Sequence, residues 1–356
     1  MKVLGLNSSA RSRGESKTDL MLNHLVSGMR EAGADVETVN LREKNIKNCL
    51  GCFTCMTKTP GQCILKDDMT QDLFPKWLKS DLVIYATPLF HHTVNATMKT
   101  FIERTWPICE PFLVEKEGRW FHPLRSTHPG VVVLSVCGFP AMSAFGGLTH
   151  YVNFLYEAQG KGVLWAEIYR PGAEYMMYRN DKKKDILDAT IQAGRELVET
   201  HRVSPDTLAR IEQPLTDNVS DFAKIANCCW KTCIAEGITL KKFADEDMMF
   251  RPDSVDTFLL LMTAGFNPEA AGDIKATLQF EFTGSVEGSC YFIIADGTIK
   301  AKEGKSERPD LTIRTPFEVW MDIVTGKADG AEMFMEGKYE TEGNIEFLDM
   351  SKFFRI

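Results

Sequence analysis

The sequence predicts an α/β fold: a doubly wound parallel sheet, followed by a helical connector and a small α+β domain. Three observations carry this expectation. Val3-Leu-Gly-Leu-Asn7, Leu82-Val-Ile-Tyr-Ala86 and the run Val131 to Val136 are continuous apolar stretches, as parallel strands covered on both faces should be. Each leads into a short polar or glycine-bearing loop and then a segment with helical periodicity. Beyond residue 250 the pattern changes, because Leu278, Phe280 and Phe282 alternate with polar residues, the period of a strand with one buried face.

In chain order, the first strand ends in Ser8-Ser-Ala-Arg-Ser-Arg-Gly-Glu-Ser16, a small hydroxyl-rich loop. The helix after it has Met21, Leu22, Leu25, Val26 and Met29 on one face and stops near Gly33, where a C-terminal glycine is expected. Strand, loop and helix in this order offer backbone N–H groups and a positive helix end to a phosphate. A plain turn with a serine cap reads equally well from these residues alone. Val36 to Leu41 is a second strand. The third ends in Thr87-Pro-Leu-Phe-His-His-Thr93, before a helix with Met98, Phe101 and Ile102. The fourth ends in Cys137-Gly-Phe-Pro140, with a helix around 147–158 and a strand around 163–168 after it. Ligands of doubly wound sheets sit beyond the carboxyl ends of the strands, and the loops at 8–18, 87–93 and 137–140 all lie there. His91 and His92 read as packing residues, because neighbouring side chains of an extended segment point to opposite sides.

The loop after the second strand carries Cys49-Leu-Gly-Cys52-Phe-Thr-Cys55, with Cys63 following a Pro60-Gly61 turn. Four thiolates this close suit a soft metal centre, and Cys-x2-Cys-x2-Cys is a local spacing at which one loop wraps an iron–sulfur cluster. Zinc, which more often takes two separated Cys-x2-Cys knuckles, and uncoordinated redox thiols stay open as alternatives. Cys109 and Cys137 read as buried small hydrophobes.

The 356 residues are 44% hydrophobic and 25% charged, with a net charge of -8. That is enough chain for two or more globular domains, and an acidic balance without a long basic run argues against a nucleic-acid surface. No leader pattern and no run of about 18 apolar residues is read, so a cytoplasmic protein without a transmembrane segment is expected. Ten cysteines in such a chain point to metal or redox chemistry before disulfides.

Asp181-Lys-Lys-Lys-Asp185 reads as a solvated boundary, which divides the chain into 1–178, a helical connector at 179–250 and a domain at 251–356. In the connector, Cys228, Cys229 and Cys233 fall at helical spacing with Trp230 and read as packing residues. In the last domain, Tyr291 to Ala295 and Ile299 to Ala301 flank Asp296-Gly297, a hairpin signal. Thr315-Pro-Phe-Glu318 reads as a capping box opening a helix with Phe317, Trp320, Met321 and Val324 on one face.

Asn7-Ser-Ser-Ala-Arg-Ser-Arg-Gly-Glu-Ser16 resembles the phosphate loop of flavodoxin-like NADPH-dependent FMN reductases. Ala10 and Glu15 depart from that pattern. Thr87-Pro-Leu-Phe, with Met98-Lys-Thr-Phe-Ile-Glu-Arg104, is similar to further motifs of that family. The four cysteines followed by Lys66-Asp-Asp-Met69 resemble the compact motif of its iron–sulfur flavoproteins. The resemblance spans about 175 residues. It implies a flavodoxin-like sheet binding FMN, with Ser9, Arg11, Ser16 and Thr18 at the phosphate. Thr87, Pro88, Leu89 and Phe90 would run along the ribityl chain and ring, and Gly138 would approach the ring. Cys49, Cys52, Cys55 and Cys63 would hold a 4Fe-4S cluster. It also implies NAD(P)H or a protein as electron donor, a redox partner protein or small-molecule acceptor, and a homo-oligomer. Ile294-Ala-Asp-Gly-Thr-Ile299, Pro309-Asp-Leu-Thr-Ile313, Phe334-Met-Glu-Gly-Lys338 and Glu342-Gly-Asn344 resemble the sterol-carrier-protein-type domain, which implies a lipid or sterol-like ligand. The leading expectation is an FMN-dependent redox protein passing electrons between donor, FMN and cluster. Its rivals are an FMN-dependent reductase of an apolar substrate captured by the last domain, and a non-enzymatic lipid carrier or sensor with a redox-switch domain.

Overall fold

The computed structural model describes every residue except 12, 13, 117, 158–162, 178, 179, 216, 217, 247, 350–352, 355 and 356. The chain forms two compact units, Met1–Asp217 and Asn218–Ile356.

The first unit is built on β1 (Lys2–Asn7), β2 (Asp35–Asn40), β3 (Leu82–Pro88), β6 (Gly130–Val136) and β7 (Leu164–Arg170), with β4 (Val114–Lys116) and β5 (Arg119–Phe121) forming a separate two-stranded hairpin. The five form one sheet in the order β2-β1-β3-β6-β7, with every neighbouring pair parallel. Counted along the chain this is 2-1-3-4-5, the flavodoxin-like order with its switch point between the first and third strands. The central strands β1, β3 and β6 read as apolar runs because their side chains enter a layer on either face. Leu4, Leu6, Val83, Tyr85, Val131 and Val133 face one core with α2 (Phe74–Lys79), α3 (Ala96–Glu103) and α4 (Gly146–Val152). Val3, Leu82, Ile84, Ala86, Val132 and Leu134 face the other, with α1 (Lys17–Glu31) and α5 (Asn180–Thr200).

This second layer corrects the division expected at residue 178. α5 buries Ile186, Ala189, Ala193 and Leu197 in the same core as Met21, Leu22, Leu25 and Met29 of α1. The two helices cross on glycines: a Cβ at Gly28 would lie 1.8 Å from the Ile191 carbonyl oxygen, and one at Gly194 would lie 2.1 Å from that of Leu25. α6 (Pro205–Glu212) follows on the same unit, where buried Arg170 donates to the Ile211 and Gln213 carbonyls at its C-terminus. The lysine run lies in the first turns of α5 and marks an integral helix, not a linker.

The rest of the expected connector belongs to the second unit. α7 (Val219–Glu236) is tied to the segment before α9 (Val255–Ala264) through the Cys228 thiol, which donates to the Arg251 carbonyl at 2.9 Å, and through a Lys231–Asp253 ion pair. Cys228 and Cys233 are buried. Short helices α8 (Leu240–Asp245) and α10 (Pro268–Ala271) flank α9. The sheet holds β8 (Ala276–Thr283), β9 (Gly288–Ala295), β10 (Thr298–Glu303), β11 (Leu311–Pro316) and β12 (Glu340–Gly343), ordered β10-β9-β8-β11-β12. Its one parallel pair is β8–β11. The expected hairpin is present, with Asp296 and Gly297 both at positive φ (51° and 67°), the two-residue turn that matches strand twist. α11 (Phe317–Val324) packs Phe317, Trp320 and Met321 onto Phe258, Phe280, Phe282 and Phe292, and α12 (Gly330–Met335) follows. The capping box expected at the start of α11 is absent: β11 runs through Pro316, and Glu318 accepts from the Ser285 amide and hydroxyl at 3.0 and 2.7 Å. Among the described residues no helix is long and apolar enough to cross a membrane.

Candidate functional site

At the carboxyl edge of the first sheet, β1 hands over to α1 through a loop tied down by its own polar groups. The Asn7 side chain donates to Asp19 and Asn40 and accepts from the Ser9 amide at 3.0 Å. Ser8 accepts from Asn95 Nδ2 at 2.7 Å through its carbonyl, which fixes this loop to the next one. Ser16 caps α1, its hydroxyl accepting from the Asp19 amide at 3.0 Å. The hydroxyl hydrogen stays available to an anion. Ser9, Ser16 and Thr18 are buried, and the Ser9 hydroxyl accepts from the Arg11 amide. Arg11 itself pairs with Glu174 at 2.5 Å. Lys17, at the first turn of α1, has its ammonium pKa lowered, mainly by burial and with Arg11 nearby, against the pull of Glu174. Glu174 is a participant that the motifs did not reveal. Its signal was positional only, since it follows the last strand at the same edge.

The second loop continues β3. Thr87 is fully buried and accepts from the Asn95 amide at 3.3 Å, and the Leu89 amide donates to the Val136 carbonyl at 2.9 Å. Phe90 and Thr93 bond each other's backbone around His91 and His92, which sit at φ 47° and 62°. The segment is a tight left-handed turn, not the extended stretch the sequence suggested. His92 still packs, its Nδ1 donating to the Ala144 carbonyl at 2.8 Å and its ring stacking on Phe139 at 5.9 Å. The third loop exposes Gly138, where an added Cβ would lie 3.9 Å from Cγ of Glu174. Ser9, Arg11, Ser16, Leu89, Phe90 and Gly138 therefore stand on three loops of one sheet edge, with Thr18 in the first turn of α1 and Thr87 and Pro88 at the end of β3.

The cysteine loop leaves the same edge after β2. Gly51, Phe53 and Gly61 take positive φ (62°, 52° and 78°), which turns the loop tightly. Cys49, Cys52, Cys55 and Cys63 line one cavity of about 100 Å³, walled by Leu50, Phe53, Ile64, Leu65 and Trp106. The Thr54 hydroxyl donates to Cys52 Sγ at 3.3 Å and lowers that thiol's pKa. The Cys55 thiol is pushed up by burial and by the neighbouring Cys63, Cys49 and Cys52. A cationic centre beside Cys55 would offset that opposition to its ionisation. Among the described residues, no group of three His, Cys, Asp or Glu is arranged to hold a metal ion.

Two residues missed by sequence reasoning anchor this loop. Arg104, at the end of α3, and Asp67, after the last cysteine, form a buried ion pair at 2.6 Å. Burial works against the Asp67 carboxylate, but Arg104 and the Lys47 and Thr70 amides outweigh it and hold its pKa at about 2. Both residues lay inside the quoted motifs, but nothing in the sequence said that they meet.

In the second unit, Phe334, Tyr339, Trp320, Phe280 and Phe258 form a chain of ring contacts at 5.2–5.5 Å, from a part-exposed ring to the core. Among the described residues, buried Trp320 Nε1 has no hydrogen-bond partner.

Residues 1–121 match the family model of NADPH-dependent FMN reductases, and residues 259–352 match that of the SCP-2 sterol transfer family. An iron-sulfur flavoprotein of Archaeoglobus fulgidus is 38% identical over 107 residues, 30% of this chain and 46% of that protein. The iron-sulfur flavoprotein MJ0731 of Methanocaldococcus jannaschii is 35% identical over 104 residues, 29% of this chain and 50% of that one. The chain thus spans about half the length of the curated relatives it matches. Among solved structures, the NAD(P)H:quinone oxidoreductase from Methanothermobacter marburgensis is 20% identical, with a TM-score of 0.42, covering 55% of this chain and 96% of that one.

Proposed function

We propose that the chain is an FMN-dependent oxidoreductase of the iron–sulfur flavoprotein type, passing electrons between NAD(P)H or a protein donor, FMN and a 4Fe-4S cluster. The observation that carries the reading is the ring of four cysteine thiols around one cavity, on the edge of a flavodoxin-order sheet where the phosphate-type loop also lies. When bound, FMN would supply exchange of one or two electrons and the cluster would supply single-electron exchange.

In this reading the α1 N-terminus, the Ser9 and Ser16 hydroxyls and Arg11 receive the phosphate, with Thr18 behind them. Arg11 exchanges its Glu174 partner for the incoming anion, one charge-assisted contact for another. The backbone of Thr87, Pro88, Leu89 and Phe90 supports the ribityl chain and ring edge, and Gly138 keeps the approach open because it has no side chain. Cys49, Cys52, Cys55 and Cys63 supply the four thiolates, and Leu50, Phe53, Ile64 and Trp106 give their cavity an apolar lining. Leu50 and Phe53 are also 65% and 57% exposed, which supplies an apolar rim for a redox partner or a second copy of the chain. Among the described residues no cysteine is joined in a disulfide, and the reading places the chain in a reducing, cytoplasmic compartment. The aromatic-rich interior of the second unit, where buried Trp320 Nε1 has no partner among the described residues, supports a lipid or sterol-like ligand there.

An absorbance spectrum of anaerobically purified protein tests the reading. Flavin bands with a broad shoulder that bleaches on reduction are expected, and Cys52→Ser should remove the shoulder and the iron while FMN stays bound. Flavin bands with stoichiometric zinc and no iron would refute it.

A further inference from the structure

Lys66-Asp-Asp-Met69 and Phe101-Ile-Glu-Arg104 stand out in the sequence for separate reasons, and they meet in one knot beneath the cysteine loop. The Arg104 and Asp67 side chains are 1% and 0% exposed. Arg104 Nη1 donates to Asp67 Oδ2 and to the Lys47 carbonyl, both at 2.6 Å. Nη2 donates to Asp67 Oδ1 and Thr70 Oγ1, both at 3.1 Å, and to Cys63 Sγ at 3.5 Å. Asp67 also accepts from the Lys47 amide at 2.9 Å and the Thr70 amide at 3.1 Å. Lys47 precedes the first cysteine and Asp67 follows the last, so the pair closes the loop at both ends.

A buried ion pair is a poor device for stability alone, because desolvation cancels much of its attraction. This one has a second property: it sets a cation in contact with a cysteine sulfur and an anion directly behind that cation. Hydrogen bonds to ligand sulfurs and nearby net charge are the means by which a protein adjusts the potential of an iron–sulfur centre. Uptake of one electron makes such a centre more negative, so a cationic donor on Cys63 favours the reduced state and the Asp67 carboxylate opposes it.

We infer that the Asp67–Arg104 pair sets the reduction potential of the centre held through Cys63, with both acting as positioning residues through that sulfur. The inference rests on the iron–sulfur reading above. It requires shifts of opposite sign from the two halves of the pair. Arg104→Gln removes the cation, exposes the centre to an unbalanced carboxylate and shifts the potential negative. Asp67→Asn leaves the cation unbalanced and shifts it positive, while the Asn carbonyl still accepts from the Lys47 amide. The double variant falls between the two, and Arg104→Lys, which keeps the charge, recovers most of the Arg104→Gln shift.

The experiment is mediated redox titration of the full-length chain after anaerobic cluster reconstitution, followed by cluster absorbance, with iron and FMN content measured on each sample. Opposite shifts at unchanged FMN content are expected. Equal potentials, or shifts in one direction for both single variants, would mean a scaffold role and overturn the inference. If Arg104→Gln cannot hold iron, Asp67→Asn and Arg104→Lys carry the test: a positive shift in the first with a near-wild-type second supports it, and no shift in the first overturns it. A wild type that takes up no iron overturns the iron–sulfur reading and this inference together, before any variant is compared.

Discussion

Replacing Gly194 by alanine adds one carbon atom where two helices touch backbone to backbone. The added Cβ would lie 2.1 Å from the Leu25 carbonyl oxygen, 2.8 Å from the Met29 amide nitrogen and 3.1 Å from the Gly28 carbonyl carbon. No rotamer change relieves any of these contacts, so α5 must move off α1 by roughly 1 Å to restore a normal carbon–oxygen separation, and a gap of that size forfeits a quarter to a half of each packing contact along the seam. Overpacking of this kind costs about 1–3 kcal/mol. The upper half applies here because backbone is on both sides, while the helix propensity of alanine returns up to about 1 kcal/mol. A net loss of about 1–2 kcal/mol lowers the melting temperature of a unit this size by about 2–8 °C. Release of flavin fluorescence on heating reads the first unit specifically. Gly146→Ala is the control, since nothing lies within 4 Å of its added carbon, and it should stay within about 1 kcal/mol of wild type. A Gly194→Ala protein that melts within 1 °C of wild type would refute the reasoning. α5 would then not be seated on α1, and the stretch from residue 179 would be the connector that the sequence suggests.

Ser16→Ala removes the α1 cap, whose hydroxyl accepts from the Asp19 amide at 3.0 Å. It should cost about 0.5–2 kcal/mol of stability and weaken FMN binding, while Ser16→Thr keeps most of both; flavin titration at a temperature where both proteins are folded separates binding from stability. The Asp67 carboxyl has a folded-state pKa of about 2, below the value of about 3.9 for an unfolded chain. Its contribution to stability is therefore complete above about pH 4 and is lost as the pH falls through about 2, amounting to roughly 1–2 kcal/mol for this covered pair. Acid unfolding of the metal-free protein followed by circular dichroism should show Asp67→Asn already weaker at pH 6 and less dependent on pH between 4 and 2. Parallel curves over that window would refute it.

What the sequence made legible is what neighbours along the chain decide. The parallel strands could be read because burial on both faces leaves unbroken apolar runs, and the Asp296-Gly297 turn because two successive left-handed residues need such side chains. The cysteine cavity was legible from spacing alone, since a loop of fifteen residues cannot carry its thiols far apart. The parts that escaped reading depend on partners far along the chain. Arg104 meets Asp67 across 37 positions, and Arg11 meets Glu174 across 163. α5 was separated from its sheet because a lysine run looks like a boundary, whereas the seat is made by Gly28 and Gly194, two glycines with no local turn to explain them. The His91-His92 turn escaped for a related reason: two histidines at positive φ are held by Gly147, where a Cβ would lie 2.8 Å from the His92 carbonyl oxygen. In each case a residue unremarkable in its own stretch takes its role from a surface brought to it by the fold. That distinction bears on function. The groups that would grip a phosphate or a metal centre are declared locally. The groups that would adjust them, Glu174 beside Arg11 and Asp67 behind Arg104, are supplied from elsewhere in the chain.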